Sequence, residues 1–287
     1  MLLKRAVSAS LRFGRENLAA RLGLGGAPGR LDCDWRSRVR WERNARGRWG
    51  TNLALRSVRL SVEDGAELTM GDHVSMEDAD VHIAAGAGVT IGNRARLAHA
   101  SLEISGASRV ELEEGVHVVG RGPQAALYVE SGTAHLGRCV NIQGIVSVRF
   151  GGHLEIGEYS ATGPGSLVRC EERVRVGSYC LVAYDASIFD TNAHATDWRA
   201  RRERIRAGYP VGTNEVVRPQ TAPIHIGDDV WIGTRAFVLK GTQLGDRVIV
   251  GMGTTVSGSV PADSVVVSVP PRVLSRAGGQ SSESEAE

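Results

Sequence analysis

No window of this 287-residue chain approaches 18 uninterrupted apolar residues, so no transmembrane helix is expected. Aromatic residues are scarce at 5%, against 36 glycines, which argues against a core of large rings and for thin, repetitive packing with many turns. Only four cysteines occur (Cys33, Cys139, Cys170, Cys180), far apart, with no CxxC spacing and no nearby histidine pair. That pattern speaks against a zinc site and a secreted disulfide framework, and a reduced, cytoplasmic setting is the expectation. Charge is nearly balanced, 34 basic against 32 acidic residues, and a net +2 by itself implies no nucleic-acid partner. The length and a 42% hydrophobic content suit a soluble globular protein with a sizeable core.

What the chain does have is a strict period of six. Large aliphatic residues stand at Ile226, Ile232, Val238, Leu244, Val250 and Val256. The fourth residue after each is small or β-branched: Val230, Ala236, Thr242, Val248, Thr254 and Val260. A helix returns to one face every 3.6 residues, so this period cannot keep a helical stripe apolar. It suits a short strand plus a turn, three such units closing a triangular coil whose neighbours stack on it. Gly227, Gly233, Gly245 and Gly251 follow the aliphatic residue where a side chain would crowd the turn.

Looser repeats precede this stretch. An aliphatic residue followed by Gly or Glu recurs at Met70, Ile91, Leu112, Leu136, Ile156, Val176, Ile226 and Leu244, at spacings of 21, 21, 24, 20, 20, 50 and 18. These are whole coils, with one long excursion between Val176 and Ile226. His99, His117, His135 and His153 are spaced 18 apart, but they drift against the coil register and read as separate surface or corner residues. Residues 1–52 are expected to form a basic N-terminal helical or capping segment, with 12 basic and 4 acidic residues in the first 50. In 1–24, Leu3, Val7, Leu11, Leu18 and Leu22 share one helical face among basic residues. This helix would cap the first coil, with weak contact to an anionic membrane surface as the alternative. From Asp34 to Gly50, Trp35, Trp41 and Trp49 alternate with six arginines, read as a solvated or subunit-packing surface.

The excursion, residues 189–223, is too polar for a core and too long for a corner, and long insertions on a repeat scaffold tend to carry function. It holds Asp190, Asn192, His194 and Asp197 within eight residues, followed by DWRARRERIR, a short basic helix with Asp197 in its N-terminal turn. His194 is the candidate general base, flanked by carboxylates able to fix its tautomer. Pro261, Pro270 and Pro271 end the repeat, and residues 276–287 read as a disordered acidic tail. The β-helix itself is expected over 53–275.

The segments IFDTNAHATD, IGDDVWIGTRAFVLKGTQLGDRVIVGMGTTVSGSVP and PPRV resemble the hexapeptide-repeat acyltransferases, closest to the branch that O-acetylates sugars and polysaccharides. The resemblance spans roughly residues 55–275. It implies an all-β, left-handed parallel β-helix, a homotrimer, and acetyl-CoA lying between subunits with no metal. It implies His194 as base toward an acceptor hydroxyl, with Asp190 and Asn192 orienting it or gripping the acceptor, and backbone N–H groups taking oxyanion charge. Trp231 would line the cleft near the acyl end and the acceptor, Thr234, Met252 and Ser257 the pantetheine arm, and Arg272 the nucleotide end. Gly258 and Ser268 depart from the family's usual lysine and glycine, which bears on the cofactor map and not on the base. A non-catalytic β-helix scaffold and an N-acetyltransferase acting on an amino-sugar stand as alternatives. A metal-dependent enzyme of the carbonic anhydrase type stands further off, since no H-x4-H pair occurs.

Overall fold

The computed structural model describes residues 31–34, 36–120, 125–208 and 219–269. The expected basic helix within 1–24, the tail at 276–287 and Arg272 lie outside these residues. Strands of two to five residues stack into three parallel sheets, of eleven, ten and ten strands. Each coil visits the first, second and third sheet in turn, so the sheets form the sides of a prism. This is the stack of triangular coils read from the repeat, a parallel β-helix consistent with the left-handed winding that the resemblance implies.

The coil markers found in the sequence fall on one column. Met70 pairs with Ile91, Ile91 with Leu112, Leu112 with Leu136, and so on through Ile156, Val176, Ile226 and Leu244, all on the third sheet. All eight are buried. Side chains alternate along each short strand, so every coil contributes inward aliphatics to one continuous core. A fully buried Val, Leu or Ile of this kind stabilises by about 1.5–3 kcal/mol.

The corner that follows each marker explains the rest of the repeat. Two residues past the glycine position the backbone enters the left-handed region, at His73, Arg94, Tyr159, Tyr179, Asp229 and Arg247, with φ between 56° and 59°. The N–H of each of these residues donates to a carbonyl one coil back, as from Asp229 to Ser178 at 2.9 Å and from Arg247 to Asp228 at 2.8 Å. The glycine itself serves clearance: a Cβ at Gly227 would lie 2.7 Å from the backbone nitrogen of Asp246 in the next coil.

The solenoid starts earlier than the boundary at residue 53 expected from the sequence. Leu31–Cys33, Arg38–Trp41 and Arg46–Trp49 form a complete opening coil, pairing with the next at Leu53, Arg59 and Glu67. Along Arg38–Trp41, arginines face outward while Val39 and Trp41 turn toward the core. Gly47 leaves room for the Trp49 ring, which a Cβ there would meet at 2.6 Å. Trp41 and Trp49 pack 5.3 Å apart against the core at this end. Trp41 and Trp49 thus belong to the prism and not to a separate segment.

The four histidines occupy separate positions. His99 sits at a turn and His117 on the first sheet, while His135 and His153 lie in different columns of the third. Alternation on one strand makes a sharp prediction. Ile226→Ala should cost about 2–5 kcal/mol in a denaturant titration, whereas outward-facing His225→Ala should stay within about 0.5 kcal/mol; equal losses would contradict the register.

Candidate active site

The excursion leaves the prism after Ser187–Phe189 of the second sheet and returns at Ile224–Ile226 of the third. Its two arms meet in a neck. Thr191 and Thr221 form an antiparallel bridge, the Asn192 N–H donates to Gln220 at 3.0 Å, and the Ala222 N–H donates to Asp190 at 2.9 Å.

The neck stands on a buried polar knot. Asp190 is fully buried, and its two carboxylate oxygens accept backbone N–H groups from Glu171 (2.8 Å), Glu172 (2.7 Å) and Arg173 (2.9 Å). Thr191 donates its hydroxyl to the buried Glu171 at 2.9 Å, and Arg169 pairs with the same carboxylate at 2.5 Å. Burial pushes the Asp190 carboxyl above the ordinary carboxylate range, and the three N–H donors pull it partway back. Burial, together with the charge of Asp190, raises the Cys170 thiol to about 12.

This corrects the role expected of Asp190. Its oxygens are committed to the 171–173 backbone, so it anchors the neck and neither orients His194 nor grips an acceptor. Asn192 is exposed, with its side-chain amide 3.3 Å from Gln220 Oε1. The sequence reading missed Glu171 and Arg169. The available sign was a Glu-Glu pair at a corner that neighbouring coils turn with Ser131 and Gly132 or with Phe150 and Gly151.

Ala193 adopts φ 62°, and the chain then presents His194 at the surface. The helix α1, Trp198–Gly208, follows as expected from the sequence. Asp197 caps it by accepting the N–H groups of Arg199 (3.2 Å) and Ala200 (3.3 Å). Arg201 holds the loop by donating to the carbonyls of Ala195 (2.8 Å) and Thr196 (2.6 Å). Arg204 reaches back so that Nη1 lies 2.6 Å from His194 Nδ1. A guanidinium has only donors, so this contact makes Nδ1 the acceptor and leaves the proton of the neutral ring on Nε2. A ring so held has its basic lone pair defined.

The remaining candidates stand elsewhere on the prism. Trp231 is 53% exposed on the first sheet, in register between Leu181 and Ile249. Thr234 and Met252 are stacked along the edge between the first and second sheets, where Gly253 N–H donates to Thr234 at 2.9 Å. Ser257 is exposed at the edge between the second and third sheets, the edge from which the excursion departs. Within one chain, then, the neck and Trp231 occupy different sides of the prism. Among the described residues no group of three or more His, Cys, Asp or Glu could hold a metal ion.

The profile of the family described as bacterial transferase hexapeptide (six repeats) matches residues 223–258. The chain is 24% identical over 164 residues to the probable acetyltransferase Rv3034c of Mycobacterium tuberculosis, covering 57% of this chain and 51% of that protein. It is 35% identical over 57 residues to the putative lipopolysaccharide biosynthesis O-acetyl transferase WbbJ of Escherichia coli, covering 20% and 29%. A Staphylococcus aureus 2,3,4,5-tetrahydropyridine-2,6-dicarboxylate N-acetyltransferase is 41% identical over 59 residues, covering 21% and 25%. The chain thus spans about half the length of the first of these relatives and less of the others. Among solved structures, the polysialic acid O-acetyltransferase OatWY is similar at 14% identity with a TM-score of 0.40, over 88% of this chain and 95% of that one.

The knot and the burial of the thiols each make a prediction. Asp190→Ala leaves buried N–H groups without acceptors, at about 1–3 kcal/mol for each such group. Hydrogen exchange at residues 171–173 should therefore quicken by at least about tenfold, and unchanged protection would refute the anchoring role. The folded carboxyl keeps its proton to higher pH than the unfolded chain's, so native stability should fall as pH rises through the raised value, and the variant should lack that component. Second, Cys139 is exposed while Cys33, Cys170 and Cys180 are buried, with Cys180 raised to about 11. An aromatic disulfide reagent at pH 8 should therefore titrate one thiol in the native protein and four after unfolding; rapid native reaction of more than one would contradict this burial.

Proposed function

We propose that this hexapeptide-repeat protein, whose residues 223–258 carry six repeats of the bacterial transferase type, is an acyl-CoA-dependent O-acyltransferase. It moves an acetyl group to a hydroxyl of a sugar or glycoconjugate. The observation that carries the reading is His194: an exposed imidazole, raised on a neck pinned by buried Asp190 and Glu171, with its lone pair assigned to Nδ1 by Arg204. An imidazole serves here because an alcohol is barely ionised at neutral pH and needs a base at the moment it attacks.

Acetyl-CoA supplies the acyl group as a thioester. The acceptor hydroxyl replaces Arg204 at His194 Nδ1 and gives it a proton as the new ester C–O bond forms. The C–S bond breaks, and the same proton is returned to the departing sulfur. Asn192, exposed two residues before the base, would meet the acceptor. Trp231, Thr234, Met252 and Ser257, with Arg272, would hold the cofactor. Trp231 and Met252, 53% and 77% exposed, offer apolar surface suited to a pantetheine arm.

Because the neck and Trp231 stand on different sides of one prism, this reading needs neighbouring copies to complete each site, as in a homotrimer. The exposed apolar column Leu181, Trp231 and Val265 on the first sheet supports such packing. An amine acceptor would use the same base and is the second reading, favoured by the stretch similar to an N-acetyltransferase.

The test is thiol release from acetyl-CoA with a panel of sugars. His194→Ala should lower kcat by about 10²–10⁴-fold with CoA affinity unchanged. Full turnover by the variant would refute the base, and absence of CoA binding in both proteins would favour a non-catalytic scaffold.

A further inference from the structure

Charge is unevenly spread along this chain. Residues 1–50 hold 12 basic and 4 acidic side chains, whereas residues 51–287 hold 22 basic and 28 acidic ones. The fold turns that imbalance into a pole, because the opening coil sits at one end of the prism and every later coil stacks away from it. Arg38 and Arg40 stand on the second sheet, Arg46 and Arg48 on the third, and Arg43 at the corner between them. All five are exposed. Their strands are the terminal ones of their sheets, with no described strand beyond them.

The acids nearby do not neutralise this rim. Asp34 accepts the N–H groups of Ser37 and Ser57, each at 3.0 Å. Glu42 pairs with Arg40 at 2.8 Å and accepts the Asp64 N–H at 3.0 Å, while Glu67 of the next coil reaches Arg46 at 3.4 Å. Among the described residues no carboxylate pairs with Arg38, Arg43 or Arg48.

The rim's chemistry discriminates among occupants. Residues 1–30 hold six basic side chains and one acidic, so they add to the positive charge instead of cancelling it. A second copy packed rim to rim would meet the same sign of charge. Nucleic acid would call for aromatic faces beside the arginines, and Trp41 and Trp49 turn theirs toward the core. An anionic phospholipid surface asks only for exposed guanidinium groups, which pair with phosphate oxygens in a planar fork. The neighbouring sequence also sets Leu3, Val7, Leu11, Leu18 and Leu22 at one-face spacing among basic residues, a pattern suited to the lipid interface.

We propose that the opening coil, through Arg38, Arg43 and Arg48, docks the protein end-on to a membrane surface rich in anionic phospholipids. This is independent of the transferase reading. The strands Arg38–Trp41 and Ser187–Phe189 are the first and eighth of the second sheet, so seven strand spacings, about 34 Å, separate the contact from the foot of the neck that carries His194. Most of the acidic remainder then lies beyond a Debye length of about 8–10 Å from the lipid, which screens its repulsion.

The experiment floats the full chain with vesicles of phosphatidylcholine, or with the same vesicles containing one third phosphatidylglycerol, at low and high salt. It compares the parent with an Arg38→Gln, Arg43→Gln, Arg48→Gln rim variant, whose exposed positions leave thermal unfolding unchanged. An Arg199→Gln, Arg202→Gln, Arg206→Gln variant of α1 removes the same charge elsewhere. The parent should bind the anionic vesicles at least about tenfold more tightly than the neutral ones, and high salt should abolish the difference. The rim variant should lose at least about tenfold in affinity for the anionic vesicles, while the α1 variant keeps it. Equal binding to both kinds of vesicle would overturn the proposal. So would full binding by the rim variant, or an equal loss in the two variants, which would assign the effect to net charge alone. A short DNA duplex bound more tightly than the anionic vesicles, and released in the rim variant, would reassign the rim to nucleic acid.

Discussion

The structure depends on how one coil is locked to the next at the corner between the third and first sheets. Strands in neighbouring coils lie about 4.8 Å apart, so at every marker's corner except that of Leu112, where Glu113 follows, a Cβ on the residue that turns inward would run into the next coil. Gly227 meets that demand, as the atoms of Asp246 next to it make plain. Two residues later the backbone must pass through the left-handed region, an expense of about 1–2 kcal/mol for a residue with a Cβ. The N–H it exposes there bonds to the coil behind, as Asp229 does to Ser178 and Arg247 to Asp228. Every coil is thereby fixed in register, and the aliphatic columns follow.

That lock lets a large excursion be hung on one corner without disturbing the prism. Val176 pairs with Ile226 across fifty residues of sequence in the same column that joins Ile156 to Val176 across twenty. The excursion needs its own foundation, which Asp190, Glu171, Arg169 and Thr191 supply as charge-assisted hydrogen bonds in the buried corner. On this footing His194 is presented outward and α1 is positioned by its cap at Asp197 and by the Arg201 and Arg204 contacts, with little apolar packing. A site built from polar contacts above a rigid scaffold keeps its imidazole accessible while its support stays fixed.

Much of this was legible in the sequence because the coil corner restricts composition. The spacing from Met70 to Leu244 gave the third-sheet column residue for residue, and the helix after Asp197 was readable from its cap and its arginines. The opening coil was not, because its outward arginines and inward tryptophans obscure the aliphatic signature, and Gly47 makes sense only once the Trp49 ring is seen over it. Asp190 misled for a related reason. A carboxylate two residues after a buried strand position and four before a histidine looks like a partner for the imidazole, while its actual partners are backbone N–H groups one coil away, which no sequence spacing reveals. The contact between Arg204 and His194, ten residues apart, likewise depends on how the loop folds back.

Acyl transfer by this site requires that the imidazole carried on the neck face a thioester. The most direct measurement is a crystal structure of the protein with bound acetyl-CoA and a non-reactive acceptor analogue. The acyl carbon should lie in a groove completed by a neighbouring copy, with the acceptor oxygen at hydrogen-bond distance from His194 and Arg204 displaced from Nδ1. A cofactor bound with its thioester on a side of the prism remote from His194, or a site complete within one copy and lacking that ring, would contradict it.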